Sequence, residues 1–373
     1  MHKVMLQTKR SHCCKKGGPA MEKVAEFTLG VDLGDRQSVV CIIDGSGEIV
    51  QSLKINTTMK AFIKFFSNYS GQLVAIENGT HSPWVSRLLQ GMDCRVLVGN
   101  ARKLPSIWRN PIKTDFRDAE MLARIARFDP NLLYPIFHRD EQAQADLAII
   151  KARDMLVQSR SGLVNHVRGS VKSMGGRIPA CNADSMHKKA VDHIPEILKP
   201  ALLPVIEQLE KLTKAIKEYN RQIENLSKEK YVETQVLRQV PGVGPVTALA
   251  FILTLEDPAR FRKSREVGPI LGLVPRKDQS GEMDKQLRIT KCGNVYLRQL
   301  LVNCAHYVLG PFGPDCELKR FGERLSQRGG KIAKKRAIIA VARKLAVLLH
   351  RLWVTGEVYE PFYNQQAPMQ KTA

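Results

Sequence analysis

The apolar pattern of this chain changes period once, near residue 140, and that change separates two kinds of structure. Before it, apolar residues come in short runs: Phe27-Thr-Leu-Gly-Val-Asp32, Ser38-Val-Val-Cys-Ile-Ile43, Gln72-Leu-Val-Ala-Ile-Glu77 and Cys94–Val98. Turn residues bound them, with Gly34 and Asp35 after the first run and Asp44-Gly-Ser-Gly47 after the second. The first two runs predict a hairpin of two strands. Helical stretches fall between the later runs, over Met59–Tyr69 and from about Pro83. Strands alternating with helices predict an α/β sheet. A further helix over Asp115–Arg127 places Ala119, Leu122, Ala123 and Ala126 on one face.

Beyond residue 141 the pattern is helical. Gln142–Met174 carries Arg153, Arg160, Arg168 and Lys172 at intervals near whole turns, which predicts a basic face for phosphate contact, and Gly175-Gly176 closes the helix. A second long helix carries Leu202, Val205, Leu209, Leu212, Ile216, Tyr219, Ile223 and Leu226, at intervals of 3-4-3-4-3-4-3. That is a heptad seam. A seam specifies contact and leaves open which chain supplies the other side: residues 142–174 folded back, or a second copy in a coiled coil. A third region opens at Leu237 and stays mostly helical to about residue 355, apart from an irregular patch at 274–293. The expected organisation is a basic leader over 1–25, an α/β domain over 26–140, a helical or coiled-coil region over 141–235, a C-terminal domain over 236–357 and a tail over 358–373. Met21 is an alternative start.

Charge narrows the partners. The 373 residues hold 58 Lys and Arg against 36 Asp and Glu, a formal net charge of +22. Such an excess attracts polyanions, nucleic acid above all. No stretch approaches the roughly 20 apolar residues of a membrane span. The eight cysteines include no CxxC pair, which argues against a zinc ribbon and against a disulfide-stapled secreted fold. With no signal peptide visible, a reducing cytoplasmic compartment is expected.

Four acidic residues stand where chemistry can use them. Asp32 ends the first strand, Glu77 ends a strongly apolar one, and Asp115 and Asp118 lie one turn apart at the start of a helix. A strand-end Asp, a strand-end Glu and an i, i+3 Asp pair form the RNase H-like arrangement that clamps two Mg²⁺ ions. Phosphoryl transfer needs charge neutralised on the attacking and leaving oxygens, and oxygen ligands select Mg²⁺ or Mn²⁺. Taken singly, Asp32 fits a turn, Asp115 a helix cap and Asp118 a first-turn acid. The Gly30-Val-Asp-Leu-Gly34 turn also suits a kinase or actin-like ATPase, but no second glycine-rich phosphate loop follows.

In the third region, Val240-Pro-Gly-Val-Gly244 has the form of a helix-hairpin-helix turn, in which Gly242 and Gly244 let backbone amides approach a phosphate. Gly272-Leu-Val-Pro-Arg276, Gln279-Ser-Gly281, Arg288-Ile-Thr-Lys-Cys-Gly-Asn294 and Leu297-Arg298 follow. Arg276, Lys291, Asn294 and Arg298 are candidate nucleic-acid contacts there. On spacing alone Ser280 is a turn or capping serine.

These motifs, in this order from about residue 27 to 355, resemble one family closely: the DEDD transposases of bacterial insertion sequences. Those enzymes recombine through a double-stranded circular intermediate under an element-encoded bridge RNA, and the pilin-gene invertase is a relative. The resemblance implies an α/β-plus-α protein with an N-terminal RuvC-like (RNase H-like) mixed sheet, a long helical or coiled-coil middle, and a mostly helical C-terminal domain. It implies that Asp32, Glu77, Asp115 and Asp118 bind Mg²⁺ (or Mn²⁺) and that Ser280 attacks DNA as the nucleophile. It further implies double-stranded donor and target DNA, the guide RNA, a dimer or tetramer, and association with the nucleoid. Leu287 and Glu282 stand where the family has glycine, and Thr290 and Ser264 are alternative hydroxyls. Competing functions are a site-specific invertase, a RuvC-like nuclease that uses water, and a non-catalytic nucleic-acid-binding protein.

Overall fold

The computed structural model describes residues 26–103 and 114–363, except 282, 285 and 286. The expected leader, Glu282 and the end of the tail lie outside the described residues. The chain forms two compact units that meet in sequence between Arg139 and Asp140.

The first unit is α/β. Strands β1 (Thr28–Asp32), β2 (Gln37–Ile43), β3 (Ile49–Asn56), β4 (Leu73–Glu77) and β5 (Arg95–Gly99) form one sheet in the order β3-β2-β1-β4-β5. β1, β2 and β3 pair antiparallel, while β4 and β5 run parallel to β1, so the sheet is mixed. Strand β3 is absent from the apolar pattern. It is an edge strand exposed over most of its length, and nothing forces its residues to alternate.

Each face of the sheet buries against helix. Leu29, Val31, Val40, Ile42, Val74 and Ile76 pack on Phe62 and Phe66 of α1 (Met59–Phe66) and on Val85 and Leu89 of α2 (Ser82–Gly91). Val39, Cys41, Ile43 and Ala75 face α3 (Asp115–Phe128), whose small residues Ala119, Ala123 and Ala126 bring it close. A Cβ on Gly30 would lie 2.5 Å from the amide nitrogen of Ala123, so only glycine lets α3 rest on β1.

The second unit is helical. Helix α4 (Glu141–Ser173) is capped by Asp140, which accepts from the amide of Ala143 at 2.6 Å, and α5 (Lys199–Glu229) returns antiparallel to it. Three contacts fix the direction: Asp146 with Lys230, Arg153 with Asn220, and Arg160 with Thr213. Leu202, Leu209, Ile216 and Ile223 of the heptad seam are buried, and Val205, Leu212, Tyr219 and Leu226 are half-buried. The seam is therefore taken up within the chain, against α4. A second row, Ile206, Thr213 and Ser227, is buried beside it and was masked in the sequence by its polar members.

Buried apolar residues gather at both ends of this helix pair. At the far end Val167, Val171, Leu202, Ile206 and Leu209 cluster with Ile178, Met186 and Ile194 of the connection. At the root Ala143, Leu147, Ile150 and Ile223 join one large core with α6 (Pro245–Leu255), α7 (Val295–Leu309), α8 (Glu317–Ser326) and α9 (Gly330–Thr355). Helix α6 is central to that core, with every residue from Thr247 to Leu253 buried. The stretches 141–235 and 236–357 thus belong to one unit. No helix among the described residues is long and apolar enough to cross a membrane, and the six described cysteines are all free.

Candidate active site

Val31 of β1 pairs with Ile76 of β4, so Asp32 and Glu77 are the next residues on adjacent parallel strands. Alternation along the strands puts both on the face of Gly30 and Ala75, which is the face that α3 covers. At the C-terminal end of α3, Arg127 donates to Thr28 Oγ1 at 3.4 Å and to the Gly45 carbonyl at 2.7 Å. The helix therefore runs antiparallel to β1, with its first turn toward Asp32. Lys54 lies 5.7 Å over the Phe116 ring, and Lys54 is the partner of Val39, which itself pairs with Asp32. Thr114 caps the helix by accepting from the Arg117 amide at 3.3 Å. Asp118 is buried, Asp115 is exposed, and Asp32 and Glu77 are half-buried. All four acids thus belong to one edge of the sheet.

Their donors are oxygens only, which suits Mg²⁺ or Mn²⁺ and disfavours softer metals. Among the described residues no three His, Cys, Asp or Glu side chains are drawn together closely enough to hold an ion as they stand.

The loops that follow Asp32 and Glu77 are tied to each other. His81 Nδ1 accepts from the Trp84 indole N–H at 3.1 Å, which leaves Nε2 as the protonated nitrogen, 3.5 Å from Asp35 Oδ1. Trp84 is itself anchored edge-on to Phe62 in the core, at 5.4 Å. Nearby, Ser82 Oγ lies 2.8 Å from Nε2 of His138, a histidine whose pKa is pushed down by burial and by Arg87 and Arg139. Sequence reasoning missed His81. Nothing in its spacing relates it to Asp35, 46 positions earlier.

In the helical unit, residues 272–281 pair with residues between 283 and 291 as a two-stranded ribbon among the described residues. The Arg276 amide donates to the Arg288 carbonyl at 3.0 Å, and Thr290 to Val274 at 2.9 Å. Pro275 faces Ile289, and β6 (Gln279–Ser280) pairs with β7 (Met283–Asp284). Ser280 stands exposed at the tip, followed by Gly281 with a φ of +56° in the turn. Thr290 is half-buried in the ribbon, and its buried hydroxyl oxygen has no hydrogen-bond partner among the described residues. Ser264 is engaged elsewhere: its hydroxyl donates to Nδ1 of buried His350 at 3.0 Å, while His350 Nε2 donates to the Pro258 carbonyl at 3.1 Å.

Several expected nucleic-acid contacts are used internally. Arg298 is buried and donates to the carbonyls of Leu271 at 3.0 Å and Cys292 at 2.7 Å, which locks the base of the ribbon. Asn294 caps α7 by accepting from the Leu297 amide at 2.9 Å. Arg160 is buried against Asp184 and Thr213. Arg168 donates to the carbonyls of Ile178, Pro179 and Cys181, and Arg153 to Asn220 at 2.6 Å. Of the expected basic face of α4, Lys172 alone is fully exposed, while Arg153 and Arg168 are half-buried. A Cβ on Gly242, at a φ of +83°, would lie 2.8 Å from the Tyr307 ring, so packing accounts for this glycine without a phosphate. Gly244 is the N-cap of α6, and Arg276 and Lys291 are exposed along the ribbon.

Residues 29–175 match a family model for DEDD transposases of the IS110 type, and residues 234–316 match the model described as transposase IS116/IS110/IS902 family. The transposase for insertion sequence element IS1111A of Coxiella burnetii is 26% identical over 95% of this chain and 97% of its own length. A probable family 20 transposase of Pseudomonas aeruginosa is 28% identical, covering 89% of this chain and 98% of its own. The transposase for IS1328 of Yersinia enterocolitica is 25% identical, covering 82% and 87%. Two matched segments in the family's order, with relatives alike over nearly their full length, make this chain a member of the IS110/IS116 family of insertion-sequence transposases.

Proposed function

We propose that the chain cuts and rejoins DNA strands at an RNase H-like (RuvC-like) carboxylate centre and that Ser280 provides the attacking hydroxyl. One observation carries the reading: α3 lies antiparallel on β1, so the turn bearing Asp115 and Asp118 belongs to the strand edge that bears Asp32 and Glu77. In this reading those four carboxylates hold Mg²⁺ or Mn²⁺, and Asp118, the most buried, fixes the geometry for the others. The ion supplies charge neutralisation on the reacting phosphate. Ser280 bonds to phosphorus as one P–O bond to the sugar breaks, and the departing sugar oxygen takes up a proton. The phosphodiester becomes a phosphoserine ester, which keeps a bond of similar energy for resealing by the reverse step.

Double-stranded donor and target DNA are the substrates in this reading, and a bridge RNA encoded by the element selects them. The net charge of +22 supports two polyanionic partners together. Arg276 and Lys291 on the ribbon are proposed phosphate contacts, as are the amides that open α6 after Gly244. The helical pair is the proposed site of dimer or tetramer assembly, through faces other than the seam already filled by α4.

The test is a trapped adduct. Incubation with element-end DNA, the element's RNA and Mg²⁺ followed by denaturing electrophoresis should show a protein–DNA species that Ser280→Ala abolishes. If Ser280→Ala still cuts and yields free ends, water is the attacking group and the enzyme is a nuclease. No cleavage with either protein under conditions that support binding would sink the carboxylate reading as well.

A further inference from the structure

Helix α9 begins before its core does. It starts at Gly330, but its first buried residue is Ala337. The two turns between hold Lys331, Lys334, Lys335 and Arg336, all exposed, together with Ile332, which is 67% exposed, and no acid. Exposed Arg324 and Arg328 precede them, and none of the six cations has an ion pair among the described residues.

This composition opposes a free helix three times over. Lys331 repels Lys334 and Lys335, three and four residues on. Cations crowd the end where the helix dipole is positive. The helix also has no side-chain cap and no acid in its first turn, unlike α3 and α4 with their Thr114 and Asp140 caps. Local conflict of this kind is retained where function demands it. A polyanion relieves all three at once.

We propose that the first two turns of α9, with Arg324 and Arg328 beside them, grip the phosphate backbone of duplex DNA. At about 100° per residue the four helix cations spread over roughly 200° of the circumference, so they address phosphates on both flanks. A helix about 10–12 Å across fits the B-form major groove, about 12 Å wide, whereas the A-form RNA major groove is too deep and narrow for it. The surface lies beyond residue 316, where the second family match ends. It is also independent of the carboxylates and of Ser280, and its test does not use cleavage.

The test replaces Lys331, Lys334, Lys335 and Arg336 by Gln in the full chain, with Lys60→Gln plus Lys64→Gln on exposed positions of α1 as a charge control. Binding to a labelled DNA duplex of arbitrary sequence is measured across salt concentrations, together with thermal midpoints. The quadruple variant should bind at least tenfold more weakly at low salt and flatten the salt dependence by about three units of slope. Its midpoint should hold or rise, because repulsion is removed. Arg324→Gln plus Arg328→Gln, which leave α9 untouched, should flatten the slope by a further one or two units, and the control should change little. Unchanged affinity and slope would overturn the proposal. So would a lowered midpoint in the quadruple variant, a control that loses as much, or a loss confined to an RNA hairpin with duplex DNA binding intact.

Discussion

Gly30 and Ala119 are in backbone contact: a Cβ on Gly30 would lie 2.0 Å from the Ala119 carbonyl oxygen. A carbonyl in the middle of a helix cannot swing aside, so the contact sets how near α3 lies to β1. It thereby sets where the turn bearing Asp115 and Asp118 stands. Gly30→Ala should force the helix outward and cost about 3 kcal/mol of stability, at the upper end of overpacking effects. Denaturant unfolding of the N-terminal unit within the full chain checks this. A variant as stable as the parent would mean that α3 does not rest on β1 as described.

Removing a single charge at the strand edge should separate chemistry from folding. Glu77→Gln and Asp115→Asn sit at half-buried and exposed positions, so each should leave stability within about 0.5 kcal/mol of the parent. Strand cleavage in Mg²⁺ should fall roughly a hundredfold or more, the scale on which a reacting phosphate loses charge stabilisation. Cleavage at the parental rate in Asp115→Asn would remove that residue from the site.

Arg160 should behave as a structural residue. Arg160→Ala leaves the buried Thr213 hydroxyl and Asp184 without their guanidinium and should cost about 2 kcal/mol. Below the lowered melting temperature, duplex-DNA affinity should stay within twofold of the parent. Lys172→Ala, on an exposed position, should do the opposite: no loss of stability, and a salt slope flatter by about one unit.

Asp146 makes the root of the long helix pair acid-sensitive. Burial pushes its carboxyl pKa up, but donors from Lys230, Tyr231 at 2.6 Å and Gln142 at 3.1 Å outweigh that and hold it below the ordinary range. A depressed carboxylate stabilises the fold fully above its unfolded pKa of about 3.9, and the contribution is lost as pH falls through the lower folded value. Asp146→Asn should therefore cost about 2 kcal/mol near neutral pH. The gap to the parent should close below about pH 4. A gap that widens in acid would reverse the sign assigned here.

Much of the sheet is legible in the sequence because β1, β2 and β4 are buried, β5 is partly so, and all four are therefore apolar in short runs. Strand β3 is not, since an exposed edge carries no such signal. The acids at strand ends and at a helix start are legible by position, and their common edge follows from sheet order and helix direction, which no local pattern encodes. The basic residues mislead for a physical reason: sequence gives the spacing of Arg160, Arg168 and Arg298 but not the carbonyls and carboxylate that occupy them. The seam over 202–226 predicts a contact, and only the fold shows α4 on the other side.

The buried clusters at the two ends of the α4–α5 pair are separate, and between Ile150 and Val167 the only buried residue of α4 is Arg160. Facing it, α5 buries only Thr213 and Ile216 between Leu209 and Ile223, so the middle of the pair transmits less packing energy than either end cluster. The far end is therefore its own unfolding unit, able to open while the root stays closed. In native-state hydrogen exchange its amides should trade with solvent well ahead of those around Ile150 and Ile223, whose release requires the whole C-terminal core to come apart.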